Sequence, residues 1–390
     1  MARYSDAVRS LLAASLGLPG MQDLVAQDVP EDSFDYRYTH YDEAPLPLDK
    51  LAFGDPSRYE IGSHQFRILK NLGDFYSLEL NYLHEAMSGS SPWYVVPGDD
   101  GPLQVMSGAT IRERRNQVDL SLARRVGAST HSGAIGYSEE NDYRALFGSY
   151  SGEKQSDDRL RTVSWGASYS SDQISPSDAQ FYGRVSHAHR DSISGSLALT
   201  RILNADAVIQ SGVSLTREAG FLSDPYKQVW INQAVLYDSR PERRLAFSWT
   251  TRFRHYMERS GAALVLDYRF FRDDWKITAH TFDAAWRQPL GENWQVSPSV
   301  RYYSQSSPDF YRPFYFVLPA DGYWSSDYRL ATFGALSYRL NAVFRQESWS
   351  FSLGAEYYHS DESLAISGTA EETPALVDFW RVTAGFEVNF

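Results

Sequence analysis

The chain has 390 residues, a formal net charge of −12, no cysteine, 43% hydrophobic residues and a mean hydropathy of −0.43. The missing thiols exclude disulfides, thiolate nucleophiles and cysteine-ligated metals, and an acidic chain without a long basic run argues against a nucleic-acid partner. No run of 18 apolar residues occurs, which excludes a helical membrane protein.

Aromatic residues reach 15%, with 26 Tyr, 21 Phe and 10 Trp. That usage suits the aromatic girdles of a strand-built membrane protein, and the polar half of every strand then accounts for the low hydropathy. Residues 1–27 read as an export signal: Arg3 and Arg9 precede a short apolar segment, Leu11 to Leu18, and Ala26 marks a cleavage point. Asp6 and Asp23 fit that reading poorly, so an amphipathic N-terminal helix, including one inside a barrel, is the alternative. Residues 28–390 read as one domain, because alternating segments recur from residue 33 onward with no Pro- or Ser-rich linker between them.

In chain order the strands announce themselves by a period of two. Phe34, Tyr36 and Tyr38 share a face. The stretch from Tyr59 to Leu69 alternates poorly. After the turn NLGD, Tyr76, Leu78, Leu80 and Tyr82 oppose Ser77, Glu79 and Asn81. A long loop over 87–109 precedes Val118, Leu120 and Leu122. A strand ends near Tyr137, SEEND turns, and another begins at Tyr143. Val163, Trp165, Ala167 and Tyr169 face away from Ser164, Gly166, Ser168 and Ser170. Residues 172–190 read as a long loop or an extra hairpin, and a second excursion covers 217–243. Leu245, Phe247, Trp249 and Phe253 oppose Ser248, Thr250, Arg252 and Arg254, and Leu264, Leu266 and Tyr268 oppose Asp267 and Arg269. A slip of phase between Ile277 and Phe282 predicts a bulge. Trp294, Val296, Val300 and Tyr302 follow, then an aromatic loop over 306–326, then strands around Tyr338 and around Phe351. The last segment, Trp380 to Phe390, alternates without error over a length that fits one tilted bilayer crossing.

Placing the short turns and both ends on the periplasmic side, and the long loops outside, gives an antiparallel transmembrane β-barrel of roughly 16 strands. This holds if the excursions at 172–190 and 217–243 do not span; spanning hairpins there would raise the count to roughly 18. Thr383, Gly385, Val388 and Phe390 carry the spacing of an outer-membrane assembly signal, read by the barrel-assembly machinery, and the surrounding partners are outer-membrane lipid and lipopolysaccharide.

Frame alone puts Glu79, Asp119, Arg252, Arg254, Asp267, Arg269, Arg301, Arg339, Glu356, Arg381 and Glu387 in the lumen. Such charges either set ion selectivity or form a cross-strand salt-bridge lattice that stiffens the wall, and the presence of both signs favours the lattice. The loop Ser307 to Trp324 holds Phe310, Tyr311, Phe314, Tyr315, Phe316, Tyr323 and Trp324. It reads as an inward plug or as an aromatic rim at the membrane surface. Acidic clusters at Asp99/Asp100, at Glu139/Glu140 with Asp142, and at Asp273/Asp274 lack EF-hand spacing and read as solvated loops rather than cation sites. His187 and His189 share a face if they lie in a strand, but a third metal ligand is not identifiable. Arg112 to Arg115 (RERR) read as strand-capping residues or a lipopolysaccharide phosphate cluster. No G-x-S-x-G elbow or H-E-x-x-H motif is present, so neither catalytic residues nor a cofactor are expected.

The phrases SGSSPWYV (Ser88 to Val95), MSGATIRERR (Met106 to Arg115), GYSEENDY (Gly136 to Tyr143), FLSDPYK (Phe221 to Lys227), FFRDDW (Phe270 to Trp275) and RYYSQSSPDFY (Arg301 to Tyr311) occur in order across the chain. Together they resemble a family of Gram-negative outer-membrane proteins catalogued as domain of unknown function 3570. The resemblance implies a barrel in the outer membrane, no established substrate, and an association with envelope redox proteins. The sequence therefore leads to a pore or loop-gated channel for a small polar solute. A closed scaffold holding an envelope redox or surface protein is the second reading, and an outer-membrane hydrolase the third.

Overall fold

The computed structural model describes residues 31–107, 111–367 and 371–390. The expectation of a signal or helix over residues 1–27 lies outside the described residues. Sixteen antiparallel strands close into one barrel. They are β1 (Ser33–Glu43), β2 (Glu60–Leu72), β3 (Tyr76–Gly89), β4 (Ile111–Val126), β5 (Ser129–Glu139), β6 (Tyr143–Gln155), β7 (Arg161–Ile174) and β8 (Ala188–Asn204). The second half comprises β9 (Ala207–Gly220), β10 (Arg243–Met257), β11 (Ala262–Asp273), β12 (Thr278–Leu290), β13 (Trp294–Gln305), β14 (Phe333–Arg345), β15 (Trp349–Asp361) and β16 (Phe379–Asn389). The expected count is therefore correct, and both doubtful excursions are loops. The first holds only a short helix, Ala179–Tyr182, and the second a small hairpin, Gln228–Ile231 with Ala234–Tyr237. Among the described residues no helix is long and apolar enough to cross a membrane.

Every strand pairs with its neighbour in sequence, and β1 closes the ring on β16 from Ser33 opposite Asn389 to Glu43 opposite Phe379. Register fixes which side chains share a surface, because opposite residues point the same way. One continuous surface carries Leu80, Leu120 and Ile135, then Leu197, Val213 and Trp249, then Leu353, Val382 and Phe386. These side chains are 40–58% exposed, as an outer belt that meets lipid would be. The other surface faces the lumen and is polar.

The connections sort by end. Short turns join β2–β3, β4–β5, β6–β7, β8–β9, β10–β11, β12–β13 and β14–β15 at one end; Gly127 (φ +59°) and Gly291 (φ +68°) occupy left-handed positions that a side chain would strain. Longer connections lie at the other end. There Pro92–Gly98 and Gly101–Met106 form a ribbon, to which Leu51–Phe53 adds a parallel strand.

The bulge expected between Ile277 and Phe282 is absent. Pairing of β11 with β12 runs unbroken from Arg272 opposite Thr278 to Ala263 opposite Arg287. The slip of phase marks a turn at 274–277 instead. Asp273 fastens it: its N–H donates to the Ile277 carbonyl at 3.1 Å, and its Oδ1 accepts from the Ile277 N–H at 2.8 Å.

Leu197 lies in the middle of β8 on the outer belt, and Ser196 beside it faces inward. Leu197→Arg should lower unfolding stability in lipid by about 2–4 kcal/mol, while Ser196→Arg should cost far less. Urea titration of the bilayer-folded variants checks this contrast.

Candidate functional site

The lumen wall is a lattice of strand-borne charges. Arg67 reaches Asp35 and Glu79, each at 2.9 Å. Arg252 pairs with Asp267 across β10 and β11. Asp283 accepts from Arg301 Nε at 3.0 Å and also from Arg339. Arg381 pairs with Glu356. Asp119 accepts from Gln117 at 3.0 Å, and Glu387 from the Ser350 hydroxyl at 3.2 Å. The register puts Arg254 and Arg269 on the same inward surface, opposite Val265 and Thr281 respectively. Apart from Glu356, the side chains in these ion pairs keep 13–34% exposure, so water reaches them.

Three partners in this lattice escaped the sequence reading. Asp283 sits just beyond the slip of phase, which hid its frame. Arg67 and Asp35 lie on or beside the poorly alternating β2, whose outer face carries His64 and Lys70 among its apolar residues. His64 is satisfied by the Tyr36 hydroxyl at 2.9 Å.

Above the lumen, at the long-loop end, the loops fold into a dry cap. Arg240 lies 2.7 Å from Asp238 and 2.8 Å from Asp327. Arg329 reaches Asp224 at 2.7 Å and holds Asp327 through Nε at 2.9 Å. Lys227 donates to the Pro92 carbonyl at 2.6 Å, joining residues 221–242 to the ribbon of Pro92–Gly98 and Gly101–Met106. Tyr226 donates to Asp142 and accepts from the Ser177 N–H. Arg58 pairs with Glu43 at 2.7 Å and donates to the Ala375 carbonyl. Arg58 and Lys227 both stand over the Tyr328 ring, at 5.2 and 5.1 Å from its centre. Arg58 belongs to the β1–β2 loop and Lys227 to the β9–β10 loop, eight strands round a ring of sixteen. The cap therefore spans the full diameter.

Apart from Tyr328 and Arg329, which are half-buried, these groups are buried. Asp327 is 0% exposed and Lys227 3%. Burial pushes the Asp327 carboxyl upward, but Arg329, Lys227 and Arg240 outweigh it and hold the group well below the usual carboxylate range. Burial also pushes Asp238 up, against the pull of Arg240. Burial raises the Tyr328 hydroxyl as well, so it stays protonated at neutral pH.

The aromatic loop divides between two roles. Phe310 and Tyr311 are buried with Leu222, Trp275, Ile277 and Leu330, and the Tyr311 hydroxyl meets Thr373 at 2.9 Å. Tyr315 and Trp324 are stitched by backbone bonds to Trp230 and Ser239 of the β9–β10 loop. Phe314 and Phe316 pack edge-on against Trp230. Beyond them Phe316, Val317 and Leu318 are exposed, and Tyr323 is partly so.

Two of the acidic clusters are not solvated as expected. Glu140, Asp142 and Asp273 are buried, the last bound to Arg244 at 2.7 Å. Arginines and tyrosines from other strands reach them, which local sequence cannot show. Asp99 and Asp100 are exposed as expected. Within RERR, Glu113 and Arg115 are buried while Arg112 and Arg114 are exposed. His189 pairs with Asp191 at 3.1 Å and His187 meets Ser175 at 3.1 Å. No cluster that would hold a metal occurs among the described residues. Of the proposed assembly residues, Thr383 bonds Thr39 across the closing seam, Gly385 lies opposite Arg37, Val388 lies opposite Phe34, and the Phe390 N–H donates to the Asp32 carbonyl at 2.9 Å.

The cap residues Asp224, Tyr226 and Lys227 sit within the phrase FLSDPYK, so a signal was present. Their partners Asp327, Tyr328 and Arg329 are about a hundred residues away and looked like ordinary loop.

Because its acidity is raised by its partners, Asp327 contributes stability that is complete above the ordinary carboxylate range and lost only as pH falls well below it. Asp327→Asn removes the carboxylate that Arg240 and Arg329 share, leaving Arg240 with Asp238 alone and Arg329 with Asp224 alone. It should weaken the cap by ~3 kcal/mol at neutral pH, read as roughly hundredfold faster amide hydrogen exchange in residues 221–242 and 306–332, with barrel strands unchanged.

Three solved structures are similar to this chain. CdiB from Acinetobacter baumannii is 9% identical, with 93% of this chain and 61% of that chain covered, at a TM-score of 0.53. The siderophore receptor PirA from Pseudomonas aeruginosa is 14% identical, with coverages of 92% and 62% and a TM-score of 0.44. A BenF-like porin from Pseudomonas fluorescens Pf-5 is 8% identical, with coverages of 92% and 98% and a TM-score of 0.44. The chain spans about three fifths of the first two, and at such identities the likeness is one of fold. No curated protein matches it. Residues 8–380 match the model of the family described as protein of unknown function (DUF3570), and the chain, with its sixteen-strand barrel and loop-built cap, belongs to that family.

Proposed function

We propose that this protein is an outer-membrane barrel that passes a small polar solute when its loop cap opens. The observation that supports this reading is a contrast of hydration along one axis. Lumen ion pairs other than Glu356 keep 13–34% of their side-chain surface in contact with water, whereas Asp224, Asp238, Arg240 and Asp327 at the long-loop mouth keep 0–4%, with Arg329 at its edge at 16%. A lumen filled by its own side chains would not need a separate lid. The short turns then face the periplasm and the cap faces outward, following the usual arrangement of such barrels. The lattice of lumen pairs keeps the wall rigid while leaving both signs in contact with water.

A scaffold that holds an envelope or surface partner is the second reading. It is favoured by the cross-diameter lock of Arg58, Tyr328 and Lys227, which makes the mouth a continuous protein surface. We propose no enzymatic step.

Single-channel recording in lipid bilayers separates the two. The intact protein should show brief, rare openings, and Asp327→Asn should raise the open time about tenfold or more, since weakening a buried ion network shifts the closed state by several kcal/mol. Silence in both, with folding confirmed by heat-modifiable electrophoretic mobility, would overturn passage and leave the scaffold.

A further inference from the structure

The inward surface is unevenly charged round the ring. At mid-height on β6 to β8 it is small and hydroxylic, with Ser149, Gly166, Ser168, Ser194 and Ser196. Along the middle of β10 to β14 it carries Arg252, Arg254, Arg269, Arg301 and Arg339 against Asp267 and Asp283, while Arg244 and Asp273 pair with each other nearer the long-loop end. Arg252 and Asp267 neutralise each other. Asp283 is shared by Arg301 and Arg339. Arg269 lies on the next strand, opposite Thr281, and Arg301 is its cationic neighbour. Among the described residues Arg269 makes no ion pair, and Arg339 Nε has no hydrogen-bond partner.

Arg301 and Arg339 thus share one carboxylate, and Arg269, on the same inward surface of a nearby strand, adds a third guanidinium with no carboxylate of its own, leaving an excess of positive charge. The arrangement repels itself, and a bound anion relieves that repulsion. Guanidinium groups present planar forks of N–H donors that match carboxylate and phosphate oxygens. Arg301 keeps 34% and Arg339 19% of their side-chain surface exposed, so a solute in lumen water can reach them. The small serine and glycine residues of β6 to β8 leave room in the lumen for the rest of a small molecule.

We infer that Arg269, Arg301 and Arg339 form an oxyanion station in the lumen, which takes the carboxylate or phosphate group of a small solute. It gives the lumen a preference for anions in a chain whose total charge is −12. The inference rests on the water-accessible lumen of the proposed function and names its solute class.

Calorimetric titration of the full-length folded protein with succinate, and separately with inorganic phosphate, tests the station without requiring passage. The intact protein should bind at least one of them. Arg269→Gln should weaken binding about tenfold or more, the loss expected for a charge-assisted hydrogen bond. Since Arg269 has no ion-pair partner, this variant should fold normally; Arg339→Gln provides a second reading of the same site. Binding of succinate alone identifies a carboxylate station, and of phosphate alone a phosphate station. Binding of neither, or binding unchanged in both variants, overturns the proposal. In bilayers under a salt gradient, the reversal potential should indicate anion preference and move toward cations in Arg269→Gln; a cation-selective intact protein overturns the preference. Anion binding lost in the variants while bilayers stay silent supports the station and overturns passage, so the two readings fail separately.

Discussion

Closure of the ring is the constraint on which everything else depends. In hydrocarbon every backbone N–H and C=O must find a partner within the protein, and an open sheet edge cannot. The seam between β1 and β16 meets that requirement over eleven consecutive pairs. Once it closes, strict alternation forces two chemically different surfaces on one sheet. Leu197 and its belt neighbours face outward because Ser196 and its neighbours face inward, and neither surface can be changed without the other. The lumen is a consequence of that alternation in a ring of sixteen strands, a size at which side chains do not fill the interior by themselves.

The cap obeys a different rule. Its charges are buried, and taking ions from water is costly unless each finds a partner of good geometry. Asp327 meets two arginines and lies near a lysine, while Arg240 meets two aspartates. Such a network adds less stability than apolar packing of equal volume, but it tolerates only one arrangement of the loops. Apolar packing supplies the remainder, through Phe310, Tyr311 and Trp275 near the β11–β12 turn. The mouth is therefore specified by charge and filled by aromatics.

The barrel was legible because its information is local. A strand such as β7 or β16 states its identity in eight or ten residues of alternation. Where alternation failed, at β2 and at the β11–β12 turn, the cause was also local. At β2 the outer surface carries polar His64 and Lys70; at the turn, Asp274 to Ile277 leave the strand altogether. The inward frame of the charged residues followed from the same rule. The cap was not legible, because its pairs join residues such as Lys227 and Pro92, or Arg240 and Asp327, that the chain separates widely. Charged loops read as solvated until a partner from another loop covers them, and only the folded ring sets which loops meet.

Tyr328 gives the cap its mechanical character. Cations from two opposite points of the ring rest on a single aromatic side chain, in the manner of two half-arches leaning on one keystone. Neither half can swing away without unseating the stone that the other also uses. In the proposed opening such a cap moves as one leaf, so its intermediate positions are sparsely occupied and a pull at any rim point is felt at the far side.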